Sequence, residues 1–371
     1  MIVILFSSII LAYVLLIILF WLGWEKTQPC VGDSECDHVA ISIVIAVRNE
    51  SENIIGLLQD IERQSYNKEK IELVIVDDHS TDDTVNKIQD YLRSSTYIIQ
   101  LEEQHENEGK KAAIKYGIGI SHHEIIFTTD GDCRLPAFWL SSMMACFDND
   151  HIKLVSGPVR LMPQNTFLQR LQAIEFSSLI SSGAATIAFG RPAMANAANM
   201  AFKKKSYDQV VERLHDDISS GDDVFLLHEI HQQYKKSVVF CRNPKATVDT
   251  QAAATLGEFF NQRKRWSSKW QFYHDWPTKL LAAFIFMVNA AMVVLPFLLF
   301  LGVIDWVIAA NLFVLKLIFE FWFLKEVQKF FKSKFLLHEF IILAIIYPVY
   351  VTMIAVAGLF GNYIWKGRVT K

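Results

Sequence analysis

The stretch Ile125–Pro136, IIFTTDGDCRLP, runs from apolar residues through two threonines into two carboxylates separated by one glycine. An apolar run of this kind reads as a buried strand. Side chains two apart along a strand point the same way, so Asp130 and Asp132 share a face at the strand's carboxyl end. Gly131 lets the backbone turn and keeps the space between them open. Two hard oxygen donors placed so suit a divalent cation that keeps waters and also takes phosphate oxygens. Asp-Gly is equally a common turn dipeptide, so the stretch by itself supports a metal site or a plain turn.

The residues before it repeat the pattern. Ile41–Val47 (ISIVIAV) and Ile71–Val76 (IELVIV) read as buried strands, and Tyr97–Leu101 and Glu124–Thr128 as two more. Helical patterns lie between them at Ile54–Arg63, Val85–Leu92 and Gly109–Ile120, the second behind a Ser80-Thr81-Asp82-Asp83 cap. Alternation of continuous apolar strands with helices predicts an α/β domain with a mostly parallel sheet covered on both faces. Ligands of such sheets sit at the carboxyl ends of the strands. The polar clusters follow the first, second and fourth strands: Arg48-Asn49-Glu50, Asp77-Asp78 and Asp130-Gly131-Asp132. Taken singly, each has a local reading as a helix-start loop or an Asx turn, and Lys110-Lys111 reads as a solvated helix face. Taken together, they gather like charges that need a cation or a cationic ligand. A nucleoside diphosphate carrying a metal meets that need. Asp77 or Asp78 would accept bonds from base or ribose, and Lys110 would reach a phosphate.

Composition sets the frame. The chain has 371 residues, 52% of them hydrophobic and 20% charged, with mean hydropathy +0.23. That is too apolar for an ordinary soluble protein and too charged for one wholly within a membrane. Met1–Trp24 is uncharged and long enough to span, since roughly 20 apolar residues suffice. It lacks the basic start and small-residue site of a cleaved signal, and reads as an uncleaved anchor. Apolar blocks at Leu280–Phe323, broken at Gly302 and Asp305, and at Phe335–Tyr363 add about three spans. The expected organisation is an N-terminal span at 1–24, a middle domain at 39–276 and a membrane region at 279–364. Net charge is −3, which gives no basic surface for nucleic acid. Cys30, Cys36, Cys133, Cys146 and Cys241 show no framework spacing, and Cys30 and Cys36 with Asp33, Asp37 and His38 fit no zinc pattern, so reduced thiols in a cytoplasmic domain are expected. Basic residues at Arg263–Lys269 and Lys325–Lys334 place both segments in the cytoplasm. A single last span would then put Lys366, Arg368 and Lys371 outside, against the same tendency.

Four further segments carry candidates. Gln164–Phe189 has apolar residues at near-helical spacing, and reads as an amphipathic helix lying on the membrane or on the spans, or as an ordinary core-facing helix. Asn196–Phe202 (NAANMAF) suits a cleft wall. Asp222 and Asp223 sit where an apolar helical run begins, as dipole caps or as a general base. Phe259–Trp266 sets Arg263, Lys264 and Arg265 beside an indole, which suits a pyrophosphate and a sugar face, or anionic lipid.

The order of these motifs resembles the family 2 glycosyltransferases of GT-A fold, the group of cellulose, chitin and hyaluronan synthases and membrane-bound lipid glycosyltransferases. The resemblance covers about Ile41–Trp276. It rests on Ala46–Glu50, Val76–Asp82, Asn107–Lys110, Asp130-Gly131-Asp132, Gly221-Asp222-Asp223 and Gln262–Trp266. It implies a Rossmann-like cytoplasmic domain flanked by transmembrane helices, in an integral protein of the inner or plasma membrane. It implies Asn49, Glu50, Asp77, Asp78, Lys110 and Asp130 at the donor, with Arg263 and Arg265 at its diphosphate. Asp132 and Asp130 would hold Mg²⁺ or Mn²⁺. Asp223, beside Asp222, would be the general base. Gln262 and Trp266 of the Q-x-x-R-W motif would meet the acceptor. His79 and Ala46 depart from the usual glycine and proline, and Asp222 from the usual glutamate.

The expected activity is inverting hexosyl transfer from a nucleotide sugar, UDP-linked by the resemblance, to a membrane-associated acceptor. A lipid acceptor is favoured, because about four spans are few for a private polymer channel. The alternative is a processive oligosaccharide or polysaccharide synthase, with a partner subunit if it exports its product. A membrane scaffold that binds nucleotide without turnover is the remaining class, and the intact acid set argues against it.

Overall fold

The computed structural model describes residues 1–27, 30, 38–93, 98–103, 109–214, 221–359, 363–365 and 368–370. Asn107 and Glu108, Cys36 and the tail lysines 366 and 371 therefore lie outside the described residues. Helix α1 (Ile2–Lys26) opens the chain. Then β1 (Ile41–Val47), α2 (Ile54–Glu62), β2 (Ile71–Asp77), α3 (Thr84–Leu92), β3 (Ile98–Glu103), α4 (Lys110–Ile120) and β4 (Ile125–Thr128) alternate strand with helix. Next come α5 (Trp139–Met144), β5 (Leu154–Ser156), β6 (Val159–Met162) and the long α6 (Phe167–Ala188). They are followed by β7 (Met200–Lys203), α7 (Lys204–Asp208), α8 (Asp222–Gln233), β8 (Val238–Phe240) and β9 (Val248–Gln251). Helices α9 (Leu256–Ser267), α10 (Trp276–Phe300), α11 (Trp306–Phe330) and α12 (Leu337–Leu359) lead to short strands β10 (Tyr363–Trp365) and β11 (Arg368–Thr370).

The chain divides into two compact units. The sheet unit comprises Thr27–Met162, Ile187–Gln251 and Ile364–Lys371; the helical unit comprises Met1–Lys26, Pro163–Thr186 and Ala252–Tyr363.

In the sheet unit, seven strands run in the order β3-β2-β1-β4-β7-β5-β8. β3, β2, β1 and β4 pair in parallel, β7 is antiparallel to both its neighbours, and β5 and β8 are parallel. β1 and β2 are almost wholly buried, as their unbroken apolar sequence requires. The strand order reverses beside β1, which places a crevice past the carboxyl ends of β1 and β4. Register carries Val47 opposite Asp77 and Val44 opposite Thr128, so the three acidic clusters leave the sheet at one edge.

Behind that edge, Asn199 is fully buried and every polar atom of its amide is used. It accepts from the Trp139 indole at 2.9 Å and donates to the carbonyls of Pro158 and Ala246 at 2.8 Å each. A Cβ on Gly157 would lie 2.3 Å from this amide, so only glycine admits it. Asn199→Ala would strand an indole N–H and two carbonyls in the core. It should cost about 2–4 kcal/mol, read as a lowered Tm; an unchanged Tm would show that water replaces the amide.

In the helical unit, α1, α10, α11 and α12 are each long and apolar enough to cross a membrane. The expected break becomes the α10–α11 turn, where the Asp305 carboxylate caps α11 by accepting from Val307 and Ile308 N–H. Buried charge among these helices is paired: the Lys316 ammonium lies 2.7 Å from Glu320, which also accepts from the Tyr13 hydroxyl at 2.5 Å. Of the readings for α6, the one that lays it on the spans fits its packing, since Ile174 clusters with Leu324 and Phe340 of α11 and α12.

Candidate active site

Two loops at the sheet edge are tied together before any ligand arrives. The Asn49 side chain accepts from Thr81 N–H at 2.8 Å, and its own N–H donates to the Ser80 hydroxyl. Glu50 and Ser51 N–H donate to Thr84 Oγ1 and Asp82. Arg48 donates to the carbonyls of Asp78 and His79 at 2.6 and 3.1 Å. Asn49 and His79 adopt φ of 52° and 57°, the left-handed region. For His79 that conformation costs roughly 1–2 kcal/mol. This is the position where the resembling family carries glycine.

The second-strand acids divide their work. Asp78, 1% exposed, accepts from Gly109 N–H at 2.9 Å and so anchors the start of α4, placing Lys110. Asp77 accepts from Ser80 N–H through one oxygen, at 2.9 Å. Its other oxygen is buried with no hydrogen-bond partner among the described residues. An orphaned carboxylate oxygen of this kind calls for a donor such as a base N–H or a ribose hydroxyl.

Lys110 projects into an open cleft walled by α4, the end of β4, Ala197, β7 and the start of α8. Asn196–Phe202 thus lines a cleft as its sequence suggested, through Ala197, Met200 and Phe202. The ammonium sits 2.5 Å from Asp130, with Asp222 and Asp223 as further electrostatic neighbours. Burial alone would depress its pKa, yet the three carboxylates outweigh burial and hold it well above the ordinary lysine value. Asp222 and Asp223 occupy the first turn of α8, where the helix dipole favours negative charge. Asp223 also accepts from Ala197 N–H at 3.4 Å.

Gly131 lets the Asp130–Asp132 turn lie against β1: a Cβ there would come within 2.9 Å of Glu50 Cγ. Asp130 and Asp132 on either side of it offer carboxylate oxygens, the hard donors a divalent cation takes beside phosphate oxygens. The neighbouring Cys133 thiol is buried, and burial first, then Asp130 and Asp132, raise its pKa well above the usual value.

Gln262–Trp266 belong to the helical unit. Arg263 is buried and makes a forked pair with Glu175, Nη2 to Oε2 at 2.5 Å. It also takes a bond to Gln262 Oε1 and lies 4.1 Å over the Trp266 ring. Trp266 packs on Phe176 at 5.8 Å. Arg263 is therefore occupied by Glu175, while Arg265 is only half-buried. Sequence reasoning passed over Glu175, the one acid of α6; an isolated acid in so apolar a helix is the signal of a buried cation partner.

The cysteines differ from expectation too. Cys30 and Cys146 form a disulfide across 116 positions, rather than remaining separate reduced thiols.

Residues 42–211 match the model of glycosyl transferase family 2. The chain carries a family 2 glycosyltransferase domain. Glycosyltransferase AglE of Haloferax volcanii is 32% identical over 126 residues, 34% of this chain and 41% of that protein. Poly-beta-1,6-N-acetyl-D-glucosamine synthase of Staphylococcus aureus is 26% identical over 246 residues, 65% of this chain and 56% of that protein. The chain thus spans about half the length of these curated relatives. A solved mannosyltransferase of Pyrobaculum calidifontis, in complex with GDP-Man and Mn²⁺, superimposes with TM-score 0.56 at 17% identity over 96% of this chain and 99% of that one. The expected GT-A fold is thereby met, with four membrane-length helices among the described residues flanking the glycosyltransferase domain.

Proposed function

We propose that this glycosyltransferase moves a hexose from a nucleotide sugar to a hydroxyl of a membrane-associated acceptor, with inversion at the anomeric carbon. The observation that carries the reading is the meeting of Lys110, Asp130, Asp222 and Asp223 in one cleft at the carboxyl edge of the sheet. Asp77, through its unpartnered oxygen, binds the nucleoside. Asp78 positions Lys110 through Gly109, and Asn49 and Glu50 brace the donor loop. Lys110 meets the diphosphate. Asp223 takes the acceptor proton as its oxygen attacks, and Asp222 supports it. Asp130 and Asp132 would hold Mg²⁺ or Mn²⁺, which supplies charge stabilisation to the leaving diphosphate. The GDP-Man and Mn²⁺ of the Pyrobaculum protein support a metal-assisted nucleotide-sugar reading; UDP remains our proposal for the base. In this reading the catalytic domain lies on the cytoplasmic side of an inner or plasma membrane, anchored by α1 and α10–α12.

The acceptor is proposed to be a lipid. The match to a polysaccharide synthase and the Gln262–Trp266 motif favour a processive second reading. Purified protein in native-type lipid, given labelled UDP- and GDP-sugars one at a time with Mn²⁺, separates them. Label on a single-sugar glycolipid is the expected result. A ladder or polymer would replace it with the processive reading, and no turnover with any donor would remove both.

Trp266→Ala should lower transfer about tenfold, as loss of one aromatic sugar platform does, while sparing donor hydrolysis. Parallel assays of the two reactions check it; equal loss would move Trp266 away from the acceptor.

A further inference from the structure

Three cysteines from distant parts of the chain meet in the sheet unit, apart from the cleft residues named above. Cys30 lies just past α1, Cys146 just past α5 and Cys241 just past β8. Their sulfurs all lie within 4.8 Å of one another. Cys30 and Cys146 are bonded, with Cα atoms 5.0 Å apart, and Cys241 is a buried free thiol beside them. Its sulfur donates to the Ser142 carbonyl at 3.3 Å.

A disulfide accounts for two of these sulfurs and gives no reason for the third. A small apolar residue would fill that buried place without a titratable group. Three converging sulfurs are, by contrast, the donor set of a thiophilic cation. We infer that Cys30, Cys146 and Cys241 form a thiolate site for a soft divalent ion such as Zn²⁺, with the disulfide and the metal-loaded cluster as alternative states of the same residues.

The chemistry closes. A dithiol reductant gives two electrons and two protons to the Cys30–Cys146 bond and leaves as its own disulfide. Zn²⁺ then displaces three thiol protons and takes three thiolates. Zinc–sulfur bonds of about 2.3 Å in a tetrahedron set sulfurs about 3.8 Å apart, inside the present spacing. Burial pushes the Cys241 thiol up to about 12, against the smaller opposing pull of the Asn243 amide. Without a cation it stays protonated at neutral pH; a bound ion supplies the charge that releases the proton. In a reducing compartment the disulfide is open, and the metal state is the one that ties residues 30, 146 and 241 together.

The test uses the full chain in detergent, purified with and without a dithiol, incubated with Zn²⁺ and freed of excess metal. Zinc is counted by mass spectrometry. Reduced wild type should retain about one zinc per chain; the oxidised form and Cys241→Ser should retain little. Co²⁺ in place of Zn²⁺ should give thiolate charge-transfer absorption in the reduced form alone. Should Cys241→Ser fail to fold, this wild-type spectrum decides the matter. Reduced protein without metal, zinc undiminished in Cys241→Ser, or Co²⁺ without thiolate absorption would each overturn the site.

Discussion

Asp223→Asn is expected to lower sugar transfer by about 10²–10⁴-fold, the usual worth of a general base, while nucleotide affinity stays within a few-fold. The replacement is isosteric, and its amide oxygen keeps one of the two N–H donors, Ala197 and Val224, that the carboxylate accepts from. Removing one carboxylate from the first turn of α8 forfeits about 0.3–1 kcal/mol of dipole interaction, too little to unfold the domain. Lys110 keeps Asp130 and Asp222 as partners, so the phosphate side of the cleft stays charged as before. Asp222→Asn is the control. It lies on the same turn, beside the same lysine, so a purely electrostatic role would give the two variants equal losses. A base at Asp223 gives a large loss for one and a small loss for the other. Initial rates at saturating donor, with equilibrium nucleotide binding, make the measurement. Transfer within a few-fold of wild type in Asp223→Asn would end its assignment as base, and the reverse order would pass the role to Asp222.

Much of this site could be read before the structure, for a local reason. β1, β2 and β4 are continuous apolar runs followed at once by acids, and in a parallel sheet the strand end fixes where those acids go. The insertion of β7 between β4 and β5 could not be read that way. Met200–Lys203 is a short strand, and its antiparallel pairing depends on partners far off in sequence. The two functions of the Asp77-Asp78 pair were likewise hidden. Adjacent strand residues face opposite ways, but only packing shows that one carboxylate holds the Gly109 amide and the other keeps a free oxygen. Arg263 misled for the same reason: next to Trp266 it resembles a ligand-binding cation, yet Glu175 lies 88 positions away in sequence and occupies it. The disulfide joins residues 116 apart with no spacing pattern to announce it. What local sequence conveys is which chemistry leaves each strand; what it omits is which charges are already spent on one another.

Lys110 draws both halves of that distinction together. Lys110→Met keeps the length and apolar stem of the side chain and removes its charge. The loss of one charge-assisted bond to a phosphate is worth about 1.5–3 kcal/mol, so affinity for the nucleotide in the presence of Mn²⁺ should fall about 10- to 150-fold. Affinity for Mn²⁺ alone should move the other way. In the wild-type protein the ammonium lies 2.5 Å from Asp130 and competes for the same carboxylate. Without it, Asp130, Asp222 and Asp223 lose one cation from among them, and carboxylates so relieved take another cation more readily. Calorimetric titration of the variant with Mn²⁺ alone, and with nucleotide at saturating Mn²⁺, reads the two signs separately. A lysine that only braced the fold would weaken both affinities together. A lysine that only bound phosphate, without neutralising the acids, would leave Mn²⁺ affinity unchanged. Opposite shifts are what its position between the carboxylates requires, because in that place it stands in for the cation until the diphosphate arrives.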